Sequence, residues 1–224
     1  MDNHIRSVMK QEINPQETSR AKAFELWMKS PMPMVTLTKT FDVTRLYKVS
    51  KQRGIKFNVL LCWCIGKTAS RIKEFYLLPE KARADEQNSG LLGRLYKFDS
   101  LAINVIVDNK EGDISSCDIP YTDDLEQFNT EYMNLTRLAS ETCTSSFRDD
   151  MMIVGTSTLV ATELDCIVNQ YSNVFNNPFL AWGRYRHRLL KTTLPISFQF
   201  HHVQMDGGHA ARFLEDLQKT IKAI

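Results

Sequence analysis

Two rhythms of apolar and polar residues run through the chain. In "MVTLTKTFDV", Val35 and Leu37 alternate with Thr36 and Thr38, and near the end Ile196, Phe198 and Phe200 alternate with Ser197, Gln199 and His201. A period of two sends successive side chains to opposite faces, so "MVTLTKTFDV" and "LPISFQF" predict half-buried strands. "LAINVIVDNKEGD" predicts a strand and then a turn, and "STLVATELD" a further strand. The other rhythm is helical. It predicts a helix around "ETSRAKAFELWMKS" stopped by Pro31 and Pro33, and a short one over "VTRLYKVSKQRG" closed by Gly54. It also predicts a mostly buried helix over "KFNVLLCWCIGKTASRIKEF" with Asn58 near its start, and an amphipathic one over "DDLEQFNTEYMNLTRLASE". A last helix carries Ala211, Leu214, Leu217 and Ile221 on one face. The polar stretch "EKARADEQNSG" reads as a loop or lid. This order predicts an α/β fold, a two-layer sandwich of helices packed on a mixed β-sheet.

With 224 residues, 43% of them hydrophobic, the chain can bury one sizeable core. No repeat or linker divides it, so one domain over 1–224 is expected. The 28 basic and 26 acidic residues are interspersed, without the basic block that follows a phosphate backbone, so no nucleic acid partner is expected. Cys62, Cys64, Cys117, Cys143 and Cys166 are an odd, scattered set, and no charged-then-apolar leader opens the sequence; a reducing cytoplasm is the expected setting. No apolar run reaches the ~20 residues that cross a bilayer, so no membrane association is expected.

The chemistry concentrates where the last strand meets the last helix, in "HHVQMDGGHA". Three readings of it are open. The histidine pair can be a satisfied polar strand end. It can be a metal site formed by His201, His202, Asp206 and His209, although adjacent strand residues face opposite ways and leave no clean ligand spacing. Or one imidazole can be a general base near neutral pH, with an acidic residue fixing the local geometry and glycines admitting a substrate.

The same residues carry a resemblance. "HHVQMDGGHAARFLEDLQ" resembles the C-terminal signature of the chloramphenicol acetyltransferase family, in which two histidines and three further residues precede Asp-Gly and a helix. "SRAKAFELW" resembles that family's arginine-bearing helix start, "WGRY" its Gly-basic-Tyr segment, and "KFNVLLCWCIGKTASRIKEF" its long buried helix. The resemblance implies transfer of an acetyl group from acetyl coenzyme A, without a metal, to a hydroxyl of chloramphenicol or another small molecule. His202 would be the general base. Asp206 would pair with Arg20 to hold the histidine loop, Gly207 would permit a sharp turn, His201 would serve packing, and His209 would be a surface residue at the helix start. It further implies a homotrimer with each site shared between neighbouring subunits.

The chain departs from the family pattern around the pocket. Gly155 stands where the family has an oxyanion-stabilising serine, with Thr156 and Ser157 following; Ala181 and Trp182 stand where a threonine is expected, and Gly208 replaces an aromatic residue. A lost oxyanion donor costs on the order of 10²-fold in rate. These departures imply a changed acceptor. The alternatives they leave are a catalytically impaired member that binds a small molecule, or an acyltransferase for a lipoyl-type acceptor.

Overall fold

A computed structural model describes residues 10–88 and 90–224. In chain order its elements are β1 (Gln11–Ile13), α1 (Ala21–Trp27), β2 (Met34–Asp42), α2 (Thr44–Arg53), α3 (Phe57–Ala69), β3 (Leu77–Lys81) and α4 (Ala84–Gln87). There follow β4 (Gly93–Lys97), β5 (Leu101–Asp108), β6 (Ile114–Pro120), α5 (Leu125–Thr142), β7 (Met152–Leu159), β8 (Phe179–Gly183), β9 (Arg186–Arg188), β10 (Lys191–His201) and α6 (Gly207–Ala223).

The main sheet has the order β2-β10-β8-β7-β5-β6, with β9 hairpinned onto β10. It is mixed: β7 runs parallel to both β5 and β8, and the other pairs are antiparallel. One face carries the alternate apolar residues Phe198, Phe200, Leu180, Val154 and Ile103 into a core shared with α2, α3, α5 and α6. Rings interlock there, with Phe198 and Phe213 4.7 Å apart and Phe75 4.7 Å from Phe213. Such pairs add about 0.5–1.5 kcal/mol each beyond their buried area. Helix α3 is buried from Val59 to Gly66 without a break, which is why its sequence shows almost no polar face.

The other face carries a transverse row of register partners, one from each of six strands: Thr36, Gln199, Phe179, Gly155, Asn104 and Asp118. The segment 160–178 crosses part of this face, held where the Ile167 N–H donates to the Ser197 hydroxyl at 2.8 Å and Gln199 Nε2 donates to the Asn169 carbonyl at 2.9 Å. A second, smaller sheet, β1-β4-β3, packs with α1 around Phe24, Met28, Leu95 and Val203. Gln204 Nε2 donates to the Leu77 carbonyl at 2.7 Å and ties the turn after β10 to this sheet.

The two-layer arrangement is the one the rhythms predict, and the details differ in four places. Helix α1 is shorter than its pattern: Pro15–Glu17 form a separate 3-10 turn and the helix ends well before Pro31. Helix α3 stops at Ala69, because Lys73–Tyr76 form a 3-10 turn that carries Glu74 and Phe75 inward. The strand expected at "STLVATELD" lies upstream as β7, since Met152, Val154 and Thr156 are the residues with a core to enter, while Val160 is exposed. The stretch 80–90 holds the end of β3 and the four-residue α4 rather than loop alone; Ser89 lies outside the described residues. Short strands β1, β3, β4, β6, β8 and β9 carry too few alternations to be read beforehand.

Among the described residues no helix is long and apolar enough to cross a membrane, and all five cysteines are free.

Candidate active site

Strand β10 ends at His201, and the chain turns back on itself over the next five residues, with Gln204 N–H and Met205 N–H both donating to the His201 carbonyl. The His202 N–H donates to the Pro33 carbonyl at 2.8 Å, which anchors the turn to the segment before β2. The two imidazoles then meet different surroundings. His201 is buried, and its Nδ1 accepts from the Val203 N–H at 3.1 Å. Burial, and then the neighbouring His202, pull its pKa down to about 3, so it stays neutral at ordinary pH. His202 is half-buried and stacks flat on Trp27, with ring centroids 4.2 Å apart and planes 8° apart. Its Nδ1 is buried without a hydrogen-bond partner.

Arg20 holds this turn from beneath. The guanidinium is buried at the start of α1 and uses three donors: Nε to the Val203 carbonyl at 2.8 Å, Nη2 to the His202 carbonyl at 2.9 Å, and Nη1 to Asp206 Oδ2 at 3.1 Å. Asp206 in turn caps α6, its Oδ1 accepting from the Gly208 and His209 N–H groups at 3.1 and 3.2 Å. Partial burial pushes the Asp206 carboxyl up, but the His209 N–H and the Arg20 guanidinium outweigh it and hold the pKa below the usual carboxylate value. Arg20 and Trp27 are seven residues apart, two helical turns, so one face of α1 both clamps the histidine turn and supplies the stacking surface. The spacing within "SRAKAFELW" was the signal for Trp27; the pattern pointed only to the arginine.

Two expectations for this cluster change. His209 is no free surface residue: Nδ1 lies 2.9 Å from Asp206 Oδ1 and Nε2 lies 3.4 Å from Oε1 of the buried Glu74. Gly207 is not needed for a sharp turn, because a Cβ there would meet nothing within 4 Å and its φ is not positive; the Asp206 cap makes the turn. His201, His202, Asp206 and His209 do not converge, and no group of three or more metal-ligating side chains is placed to hold an ion among the described residues.

The pocket candidates separate by the period of two. Gly155, Ser157 and Ala181 belong to the face crossed by 160–178, whereas Thr156 and Trp182 point to the helix side. Thr156 Oγ1 donates to the Asn104 carbonyl at 2.7 Å and is committed. The Gly155 N–H donates to the Pro178 carbonyl. Of these candidates, Ser157 carries its hydroxyl on the Gly155 face. Trp182 lines a cavity of about 440 Å³ together with Lys56, Asn58, Tyr132, Thr158 and Arg184, and its Nε1 approaches Asn58 Oδ1 at 3.4 Å. Gly155 lines a separate cavity of about 550 Å³ on the opposite face, with Asn104, Asp118, Phe179 and Gln199. Within one chain, none of the contacts of the described residues joins His202 to Gly155.

The family model described as chloramphenicol acetyltransferase matches residues 10–218. This chain belongs to the chloramphenicol acetyltransferase family. It is 26% identical over 211 residues to the chloramphenicol acetyltransferase of Clostridium butyricum, covering 90% of each chain. A solved chloramphenicol acetyltransferase superposes with a TM-score of 0.76 at 19% identity, over 95% of this chain and all of that one. The truncated catalytic core of the 2-oxoacid dehydrogenase multienzyme complex from Thermoplasma acidophilum superposes at 0.64 with 18% identity, over 95% of this chain and 98% of that one. This chloramphenicol acetyltransferase family member is accordingly an acyltransferase enzyme.

The structure shows why a family serine is not simply restored at Gly155. A Cβ placed there would lie 2.4 Å from Cδ2 and 2.9 Å from Cε2 of Phe179, so the ring occupies the space a side chain would need. Gly155→Ser is expected to lower stability by about 1–3 kcal/mol through overpacking. Combining it with Phe179→Ala should remove that overpacking, although the deleted ring carries a cost of its own. Thermal melts of the two single variants and the pair check this; simple additivity of the two losses would mean that the ring moves aside freely.

Proposed function

We propose that this enzyme moves an acetyl group from acetyl coenzyme A to a hydroxyl of chloramphenicol or a similar small molecule, with His202 as general base. The observation that carries the reading is the arginine clamp: a buried guanidinium bonded to the His202 carbonyl, the Val203 carbonyl and Asp206, with the imidazole itself stacked on Trp27. A surface histidine at a strand end has no use for that much fixing. Because Nδ1 is buried, Nε2 is the nitrogen that accepts the hydroxyl proton. The hydroxyl oxygen attacks the thioester carbonyl, the tetrahedral oxyanion collapses with loss of the coenzyme A thiolate, and the imidazolium returns the proton to that thiolate. Ser157, two residues along β7 on the Gly155 face, is the pocket candidate whose hydroxyl would stabilise the oxyanion. The cavity beside Trp182 suits the coenzyme, since Lys56 and Arg184 offer charge to its phosphates next to an apolar wall.

The unit at work is one domain over 1–224, in the cytoplasm, assembled as a homotrimer. In a ring of three, His202 of one subunit meets the Gly155 cavity of the next, which supplies the juxtaposition a single chain lacks. The exposed Phe147, Val168, Val174 and Phe175, each above 70% exposed, support a covered face in the assembly. Release of free thiol from acetyl coenzyme A with chloramphenicol as acceptor is the test of activity, and sedimentation at three times the 25.8 kDa of one chain is the test of assembly. A monomer, or no thiol release with any hydroxylated acceptor, would overturn the reading.

A further inference from the structure

The outer-face cavity contains a carboxylate that its surroundings do not explain. Asp118 is 3% exposed in strand β6, at the end of the transverse row that passes through Asn104 and Gly155. Its Oδ1 accepts from Asn104 Nδ2 at 2.7 Å and its Oδ2 from the Arg148 backbone N–H at 2.7 Å. Each oxygen keeps a further acceptor site. Among the described residues no Lys, Arg or His side chain pairs with it: the Arg148 guanidinium, which lines the same cavity, is turned onto Asp150 at 2.6 and 2.8 Å. Ile106, Ile153, Phe147, Phe175 and Phe179 make the apolar and aromatic part of the wall, and the uncharged polar side chains of Ser116, Asn169, Asn177 and Gln199 stand among them. A carboxylate taken out of water without a cation bonded to it is costly, and burial pushes its pKa up although the Asn104 amide, the Arg148 N–H and, through space, the Arg148 guanidinium pull the other way. The neutral amide of Asn104 fixes the carboxylate beside the cavity and offsets only part of the cost of its charge.

We infer that Asp118 is a specificity residue, and that the acceptor this enzyme takes is a hydroxylated aromatic compound carrying an ammonium group, which Asp118 receives while the phenylalanines hold the ring. The inference rests on reading the cavity beside Gly155 as the acceptor pocket. An ammonium would bond the free lone pairs of Asp118 directly, which the Arg148 guanidinium, held on Asp150, does not, and the rings of Phe147, Phe175 and Phe179 add attraction for a cation. Two strand spacings, roughly 10 Å, separate the row positions of Asp118 and Gly155, and the side chain of Asp118 reaches back toward Asn104. A hydroxyl at one end of a benzene ring and an ammonium at the other fit that interval.

The test uses para-(aminomethyl)benzyl alcohol and its N-acetyl derivative, which keeps the hydroxyl and ring but is neutral. Thiol release with acetyl coenzyme A gives kcat/KM for each, and the wild-type enzyme is expected to prefer the ammonium compound by on the order of 10-fold or more. In Asp118→Asn that ratio should collapse toward one. Equal use of the two alcohols by the wild type, preference for the neutral one, or an unchanged ratio in Asp118→Asn would overturn the inference. The wild-type comparison decides by itself if the variant does not fold. If neither alcohol is acetylated, calorimetric titration replaces turnover: tighter binding of the ammonium compound than of its N-acetyl form sustains the inference, and equal or absent binding ends it. Chloramphenicol assayed in parallel reports on acetyl transfer itself, so failure of the activity and failure of the ammonium preference give different results.

Discussion

His202→Ala is expected to lower turnover by ~10²-fold or more while leaving coenzyme A binding nearly unchanged, because removal of the hydroxyl proton is the step an imidazole supplies. The neighbouring position is the internal control, and the structure alters how it must be read. His201 is buried and its Nδ1 accepts a backbone hydrogen bond, so His201→Ala opens a cavity and releases the Val203 N–H. Its loss belongs in the melting curve, and at a temperature where both variants are folded its turnover should stay well above that of His202→Ala. Trp27→Ala is expected to fall between them, since it removes the surface that fixes the His202 ring but not the base. Turnover equally low in the two histidine variants under folded conditions would remove His202 from its role.

Arg20→Met is expected to cost about 2–6 kcal/mol in stability, since two backbone carbonyls lose a charged donor at about 1–3 kcal/mol each. Three bonds are lost at once, and two of the acceptors are the carbonyls flanking the histidine turn. Asp206 is a different case although it is the partner in the same ion pair. Its side chain is 45% exposed against 7% for Arg20, so water screens it, and asparagine can still cap α6. Asp206→Asn should therefore cost much less than Arg20→Met. Its effect should also depend on pH with a definite sign. The folded pKa of Asp206 lies below its ordinary value of about 4, so its contribution is full above that value and disappears as pH falls through the folded one. Melting curves of wild type and Asp206→Asn should differ at neutral pH and converge in acid. Equal costs for the two substitutions at neutral pH would mean that the pair, and not the grip on the backbone, is what Arg20 provides.

Much of the fold is legible in the sequence. The alternation in β2 and β10 and the helical spacing in α5 and α6 are local periodicities, and each survives because the residue that must be buried is set by its neighbours one, two or four places away. The pairing of Arg20 with Asp206 was legible only through the family resemblance, as nothing in either local sequence points 186 residues along the chain.

Other features belong to the tertiary structure alone. Composition and spacing could not tell that Thr156 and Trp182 face the helices while Gly155 and Ser157 face the opposite cavity, because that division depends on the phase of β7 and β8 against strands from distant parts of the chain. That β7 lies several residues upstream of the expected strand has the same origin: either window alternates acceptably, and only pairing with Leu101–Val105 selects Met152–Leu159. Trp27 under His202, Glu74 beside His209 and Asp118 beside Asn104 are likewise contacts between elements. The sequence by itself determined the longer helices, strands β2, β5 and β10, the layer architecture and the histidine turn, for those follow from short-range patterns of burial. Which side chains share a cavity, which donors are already committed, and that among the described residues no cation is bonded to the buried Asp118 were decided only when the sheet closed its register, since each depends on residues brought together from across the fold.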